Sequence, residues 1–342
     1  AVAGEANKPA NEAQARLAES VQKAVPQAIR SFVKDMQRLA LGLDVDQKGK
    51  LVALEFSMVA KPETELARTM SALGKTPSSF QSLVGANTAA SLYYSLTLPK
   101  ESRDMLKVII DSLSESANEG IDKNSDLGAE QKKQAHDLVD RGIKVLQATS
   151  DTGRFDIAAV LDVKEDGKAQ VVAAAKVVQG EEISKILEDL SRLAPDRPTA
   201  QSLKLDVEKH GGARIHAISL DQVPDDAKER FGSGPAYLAV KSDAVYFAIG
   251  GESLDALKAA IDSTGKPGTN RPPVSIRVRP SKLIPLFSNA DDPNVALAKQ
   301  AFTGEGDHAS LEMLSVERGL RVRLELGEGI LRFIALMVGQ QL

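Results

Sequence analysis

Apolar and polar residues alternate with a period of two in short runs along this chain, and pairs of such runs are followed by apolar residues at helical spacing. The best-formed example is Arg154 to Leu193. Phe155, Ile157, Ala159, Leu161 and Val163 predict one strand face, a short turn follows, and a second strand leads into a helix that would bury Ile183, Ile186, Leu187, Leu190 and Leu193. Ala158, Val160, Val172 and Ala174 make the other strand face apolar too. This predicts a central hairpin covered on both sides.

The same ββα sentence recurs. Leu39 to Val45 and Val52 to Met58 predict a hairpin around QKGK, with a helix over Glu63 to Leu73. Further ββα units fall at Ala236 to Ile261 and at His308 to Val338. Between units, a strand stopping on proline is followed by two helices: Leu92 to Pro99, then Glu101 to Asn118 and Gly128 to Thr149; and Val274 to Val278, then a short helix after Pro280 and another over Pro293 to Phe302. The order therefore reads ββα, βαα, ββα twice, with the pairs Gly74-Lys75 and Gly265-Lys266 as echoes. A hairpin from Leu203 to Leu220, turning at His210 to Ala213, and a short helix from Asp225 to Phe231 lie between the halves. Ahead of the first half, Leu17, Val21, Val25, Ile29, Val33 and Met36 predict an amphipathic helix over Asn11 to Gln37, kinked or restarted at Pro26.

The fold class expected is α+β: antiparallel sheets built from repeated ββα units, with helices on one face and an internal duplication. Four segments follow: 1–38 as leader and helices, 39–200 as the first half, 201–234 as connecting hairpin and loop, and 235–342 as the second half. Two sheets related by a pseudo-twofold axis are the simplest construction.

Composition narrows the function. At 342 residues, two domains or two repeated halves are expected. The 43 basic and 47 acidic residues are interspersed, and RPPVSIRVRPSK, the densest basic stretch, offers too few cations for a nucleic-acid surface. No cysteine is present, which removes disulfides, thiolate chemistry and cysteine-based zinc sites. With four Tyr, nine Phe and no Trp, the core rests on Leu, Val, Ile and Ala. The longest apolar runs, such as Ile330 to Val338, are too short to span a bilayer. The stretch AVAGEANKPANEAQ resembles the region around a signal-peptidase site, which predicts an exported chain, periplasmic or extracellular.

No motif carries chemistry. DVDQKGKLVALE (Asp44 to Glu55) matches part of a calcium loop, but Lys48 occupies a ligand position and the strand alternation through Leu51 to Met58 predicts a hairpin turn instead. His136 is expected on a solvated helix face, His210 at a turn, and His216 out of reach of His210 for a shared metal. Asp307 and His308 lack a nucleophile or third ligand. Ile249 to Ser253 could hold an anion at a helix N-terminus, but Ser253 reads more simply as an N-cap. The paired acids Asp225-Asp226 and Asp291-Asp292 are expected at helix starts.

Within the second half, AYLAVKSDAVYFAIGGESLDALKAAID and HASLEMLSVERGLRVRLELGEGILRFI resemble uncharacterised exported proteins of planctomycete-type bacteria, over about the last 110 residues. The resemblance implies an envelope or extracytoplasmic setting and no activity. The reading is a non-enzymatic exported binding or scaffold protein of the cell envelope, with a hydrophobic groove between sheet and helices for a hydrophobic ligand or an envelope protein partner. No catalytic, cofactor or metal residues are assigned. The alternatives are a hydrolase whose acids, such as Asp151, Asp156 and Glu181, meet only in the fold, and a self-assembling structural protein joined through edge strands. The irregular regions Thr76 to Ala90 and His210 to Pro235 are the places to look for a site.

Overall fold

A computed structural model describes residues 30–339 apart from 31, 74–75, 86, 194–201, 222, 267–271, 288–291 and 305. The leader helix up to residue 29, the Gly74-Lys75 pair, the break at 194–200 and Asp291 lie outside the described residues. The strands are β1 (Met36–Asp46), β2 (Leu51–Ala60), β3 (Ala90–Thr97), β4 (Arg154–Val163), β5 (Ala169–Lys176), β6 (Leu203–His210), β7 (Ala213–Ile218), β8 (Ala236–Lys241), β9 (Ala244–Ile249), β10 (Val274–Val278), β11 (Ala309–Val316) and β12 (Gly319–Gly327). The helices are α1 (Glu65–Ala72), α2 (Lys100–Lys123), α3 (Ala129–Asp151), α4 (Gly180–Leu193), α5 (Asp225–Phe231), α6 (Ser253–Ser263), α7 (Pro280–Leu283), α8 (Pro293–Ala301) and α9 (Glu328–Gly339). The fold is α+β, as the alternation predicts.

The expectation of two sheets is overturned. All twelve strands form one antiparallel sheet in the order β1-β2-β12-β11-β10-β3-β4-β5-β9-β8-β7-β6. Each predicted half gives its leading hairpin to the other: β2 pairs with β12, and β9 pairs with β5. Strand partners are chosen by long-range fit, to which local periodicity is blind.

The expectation of helices on one face is also overturned. Residues directly opposite in adjacent antiparallel strands share a face, so register carries a face across the sheet. Met58, Leu320, Val322 and Met313 lie on one face, where α1 packs with Ala67 and Met70. Ala158, Val172, Ala174, Tyr246 and Ala248 lie on the other, where α6 packs with Leu257, Ala260 and Ile261. The central hairpin β4–β5 is covered by α6 on one face, while Ala159, Leu161 and Val171 on its other face line an open depression; the expected cover on both sides is found on one.

The small side chains of Ala158, Ala174, Ala239 and Ala248 let α6 and the loop 76–89 approach the sheet closely. Phe80 drops from that loop against Tyr246, ring centroids 5.9 Å apart and nearly perpendicular, the edge-to-face geometry that aromatic quadrupoles favour. By contrast α2 lies along α3 with Met105, Ile109 and Leu113 exposed. Its apolar stripe is only partly used in packing. Among the described residues no helix is long and apolar enough to cross a membrane.

Candidate functional site

Register produces one row of side chains that crosses eleven strands on a single face. It runs Leu43, Leu54, Leu324, Leu311, Ile276, Leu92, Ala159, Ala173, Phe247, Leu238 and ends on His216. Ten of the eleven are apolar. The parallel row beside it, from Leu41 through Phe56, Val322, Met313, Val274, Tyr94, Ile157, Ala175, Val245 and Val240, is equally apolar until Arg214. Burial raises the Tyr94 phenol above its ordinary value, so it stands neutral on this face.

The opposite face changes character half-way. Its matching row begins Gly42, Glu55, Arg323, Glu312 and Ser275, then turns into Tyr93, Ala158, Ala174, Tyr246, Ala239 and Ile215. The polar half is an ion-pair ladder in which Arg323 reaches Glu325 at 2.8 Å and Glu55 and Asp44 at 3.4 Å. That half needs no cover.

The continuous apolar face does need cover, and among the described residues it receives helical cover at its ends. α1 sits over one end of β2, β12 and β11, and α4 reaches β8 and β6. Between them Leu92 and Ile276, neighbours at the centre of the sheet, remain 37% exposed, and Leu54 remains 41% exposed. A depression of about 230 Å³ lies here, lined by Ala90, Leu92, Ala159, Leu161, Val171, Ile276 and Val278. Its volume falls below the roughly 300–1,000 Å³ of an enclosed small-molecule site. The shape is an open apolar strip. At about 4.8 Å per strand, it extends roughly 29 Å from β2 to β5.

Two clefts, of about 520 and 510 Å³, flank α3 and α4 and are charged. Arg141 bridges them, donating to Glu182 at 2.6 Å and Asp189 at 2.7 Å. The hydrogen bond from Arg141 holds the Glu182 carboxyl below its ordinary value. With its donors so engaged, Arg141 ties α3 to α4.

The acids of the hydrolase alternative are not brought together. Asp156 is buried on β4, accepting the Ser78 hydroxyl at 2.5 Å and the Ser79 backbone N–H at 2.6 Å. Asp151 ends α3 in a small cleft with Lys107 and Gln147, and Glu181 opens α4 beside Lys144 and Lys185. Among the described residues no group of three or more His, Asp or Glu side chains could hold a metal ion. Asp44 and Glu55 sit on paired strands, while Asp46 accepts the backbone N–H of Lys48 and Gly49, so the calcium-like stretch is a hairpin.

One histidine departs from expectation. His136, expected to be solvated, bridges α3 to α2 through Asn118 at 2.6 Å and Asp122 at 2.9 Å. His216 is fully buried; its Nδ1 accepts the Asp206 N–H at 3.1 Å, and its Nε2 has no partner among the described residues. His210 pairs with Asp262 at 2.8 Å, away from any second histidine ligand. Ser253 is no N-cap: Glu252 takes that position and the Ser253 hydroxyl donates to the Pro235 carbonyl at 3.2 Å. Asp292 does cap α8, through the Asn294 N–H at 2.8 Å, and Asp225 and Asp226 open α5.

No family model, curated protein or solved structure matches this chain. The regions Thr76 to Ala90 and His210 to Pro235 supply core anchors and an outer hairpin, with Phe80, Val84 and Ile215 buried. The apolar strip itself is composed of ordinary strand residues. Its only sequence signal is the alternation already noted on each strand; the register that aligns ten strands into one strip is absent from any local pattern.

Proposed function

We propose that this protein is a non-enzymatic binding protein of the cell envelope that receives an extended apolar ligand, of the acyl-chain type, across the open face of its sheet. The observation that carries the reading is the ten-residue apolar row whose central members, Leu92 and Ile276, are left 37% exposed between α1 and α4. An uncovered apolar strip of this length is costly to hydrate, at about 25 cal/mol per Å², and such patches mark interaction surfaces. An open strip suits the flank of a long chain better than a compact molecule. Export rests on the wording of AYLAVKSDAVYFAIGG and HASLEMLSVERGLRVRLELG, which resembles exported planctomycete-type proteins.

Native mass spectrometry of the purified chain, followed by organic extraction, tests the reading. A co-purifying amphiphile released by extraction is expected; a protein that carries none and takes up none from mixed phospholipid vesicles would sink it.

The scaffold belongs to the same proposal as an internal duplication in which the halves exchange hairpins. Its support is the strand order, which reads identically when β1 to β5 are interchanged with β8 to β12. β6 and β7, the joint, lie outside that symmetry. Chains cut between residues 200 and 201 should therefore assemble when coexpressed, and independent folding of each half as a monomer would contradict the exchange.

A further inference from the structure

The sheet has two edges, and they are built differently. At the outer edge of β6 the register with β7 shifts between Lys204 and Glu208, and Asp206 takes a positive φ of 50°. Such a bulge, with Lys204, Glu208 and Lys209 around it, obstructs pairing with another strand. At the other end β1 has 11 residues, shifts register with β2 once, between Met36 and Arg38, and pairs one-to-one from Arg38 to Asp46; among the described residues no strand lies on its outer side.

The hydrogen-bonding parity of β1 follows from β2. The Ala60 N–H donates to the Arg318 carbonyl on the β12 side, and the Lys61 N–H donates to the Asp35 carbonyl on the β1 side. Backbone groups alternate sides along a strand. Ser57, Glu55 and Ala53 therefore face β1 and bond to Ala40, Gly42 and Asp44. Leu39, Leu41, Leu43 and Val45 are left with their N–H and C=O groups on the free edge. Their side chains are also exposed, Leu41 by 76% and Leu43 by 67%.

We propose that β1 pairs antiparallel with β1 of a second copy of this chain, about a twofold axis at Leu41, joining two twelve-stranded sheets. Three observations favour this occupant. Leu41 is the middle residue of Arg38–Asp44, so this register pairs the regular part of the strand on the near side of the shift at Met36. It sets outward-facing residues opposite outward-facing ones, Leu39 against Leu43 and Leu41 against itself. It also sets Arg38 of each copy opposite Asp44 of the other, in non-hydrogen-bonded positions where side chains approach most closely. A slip that puts Arg38 opposite Asp46 leaves strand ends unpaired, and Asp46 already accepts two backbone N–H groups of its own turn at 3.0 and 2.9 Å, whereas Asp44 has a longer contact, 3.4 Å, to Arg323. Because the far edge is blocked by its bulge, association closes at two copies instead of growing into a fibre. Leu43 heads the apolar row, so the two open faces become continuous across the junction.

The test uses the full chain in sedimentation velocity and native mass spectrometry. Wild type is expected as a dimer of the 36.4 kDa chain. Arg38→Asp and Asp44→Arg should each weaken the dimer about tenfold or more, because both copies then face like charges. Mixed in equal amounts, these two variants should dimerise again, since each then meets its complement twice. Leu41→Pro should give a monomer with an unchanged circular-dichroism spectrum, because the Leu41 N–H faces outward and its loss breaks no bond to β2. A wild type that stays monomeric at about 100 μM, where any dimer with a Kd of that order would be substantially formed, would overturn the proposal. So would a dimer indifferent to all three variants, variants that mixing does not rescue, or dimerisation that appears only after residues 1–29 are removed.

Discussion

Asp156 accepts the backbone N–H of Ser79 at 2.6 Å from a position that is only 1% exposed. This contact, with the Ser78 hydroxyl on the other carboxylate oxygen, pins the loop 76–89 to the sheet and so positions Phe80 against Tyr246. Asp156→Ala would leave a buried donor without its acceptor. The expected cost is about 2–3 kcal/mol in urea unfolding, together with faster hydrogen exchange at Ser79 and Phe80. Unchanged exchange at those two amides would show that the loop is held by its aromatic anchor alone.

Gly250 is required by space and by conformation. Its φ is 101°, and a Cβ there would lie 2.1 Å from the Ala169 carbonyl oxygen. The glycine pair that could have formed an anion site thus serves close packing of the β9–α6 turn on β5. Gly250→Ala should cost roughly 3 kcal/mol or more. Gly251→Ala, whose new methyl would first meet the flexible Lys164 ammonium at 3.4 Å, should cost under about 1 kcal/mol. Equal stabilities of the two variants in denaturant melts would contradict this geometry.

A charge at the centre of the strip should abolish ligand uptake without unfolding the protein. Ile276 is partly solvated already, so Ile276→Asp is tolerated by the fold, yet it places a carboxylate where an apolar chain would lie. Vesicle-to-protein lipid transfer should fall at least about tenfold, equivalent to about 1.4 kcal/mol. Lys107→Asp, on α2 away from the strip, should leave transfer unchanged. Equal transfer by both variants would remove the strip as the binding surface.

His216 makes stability depend on pH. Burial lowers its pKa below the ordinary 6.5, with Asp206 opposing the shift, Arg214 adding to it and Glu188 opposing it. The unfolded chain therefore binds a proton at a higher pH than the folded chain does. The neutral ring contributes fully above 6.5, and that contribution is lost as pH falls from 6.5 through the folded-state value. Asp206, held below its ordinary 3.8 chiefly by the Arg214 hydrogen bond, acts only at lower pH. Urea melts between pH 7 and pH 5 should show wild type losing stability and His216→Asn losing markedly less. Parallel slopes for the two proteins would assign the effect to other groups.

The elements of this protein are legible in its sequence, because strand and helix periodicities of 2 and 3.6 are properties of adjacent residues. Arg154 to Leu193 announces its own hairpin and helix, although the apolar groups on both of its strand faces predict cover on both sides and helix α6 covers one of them. The absence of cysteine and of any catalytic motif is equally local. Which strand lies beside which is a different kind of fact. β2 meets β12 across more than 250 residues of chain, and nothing in either strand names the other. That pairing converts ten separate alternations into one apolar strip, strands the acids Asp151, Asp156 and Glu181 in separate surroundings, and buries His216, a residue that looks like an ordinary strand position. Tertiary structure decided these matters because burial, register and ion pairing depend on partners that the fold brings from far along the chain.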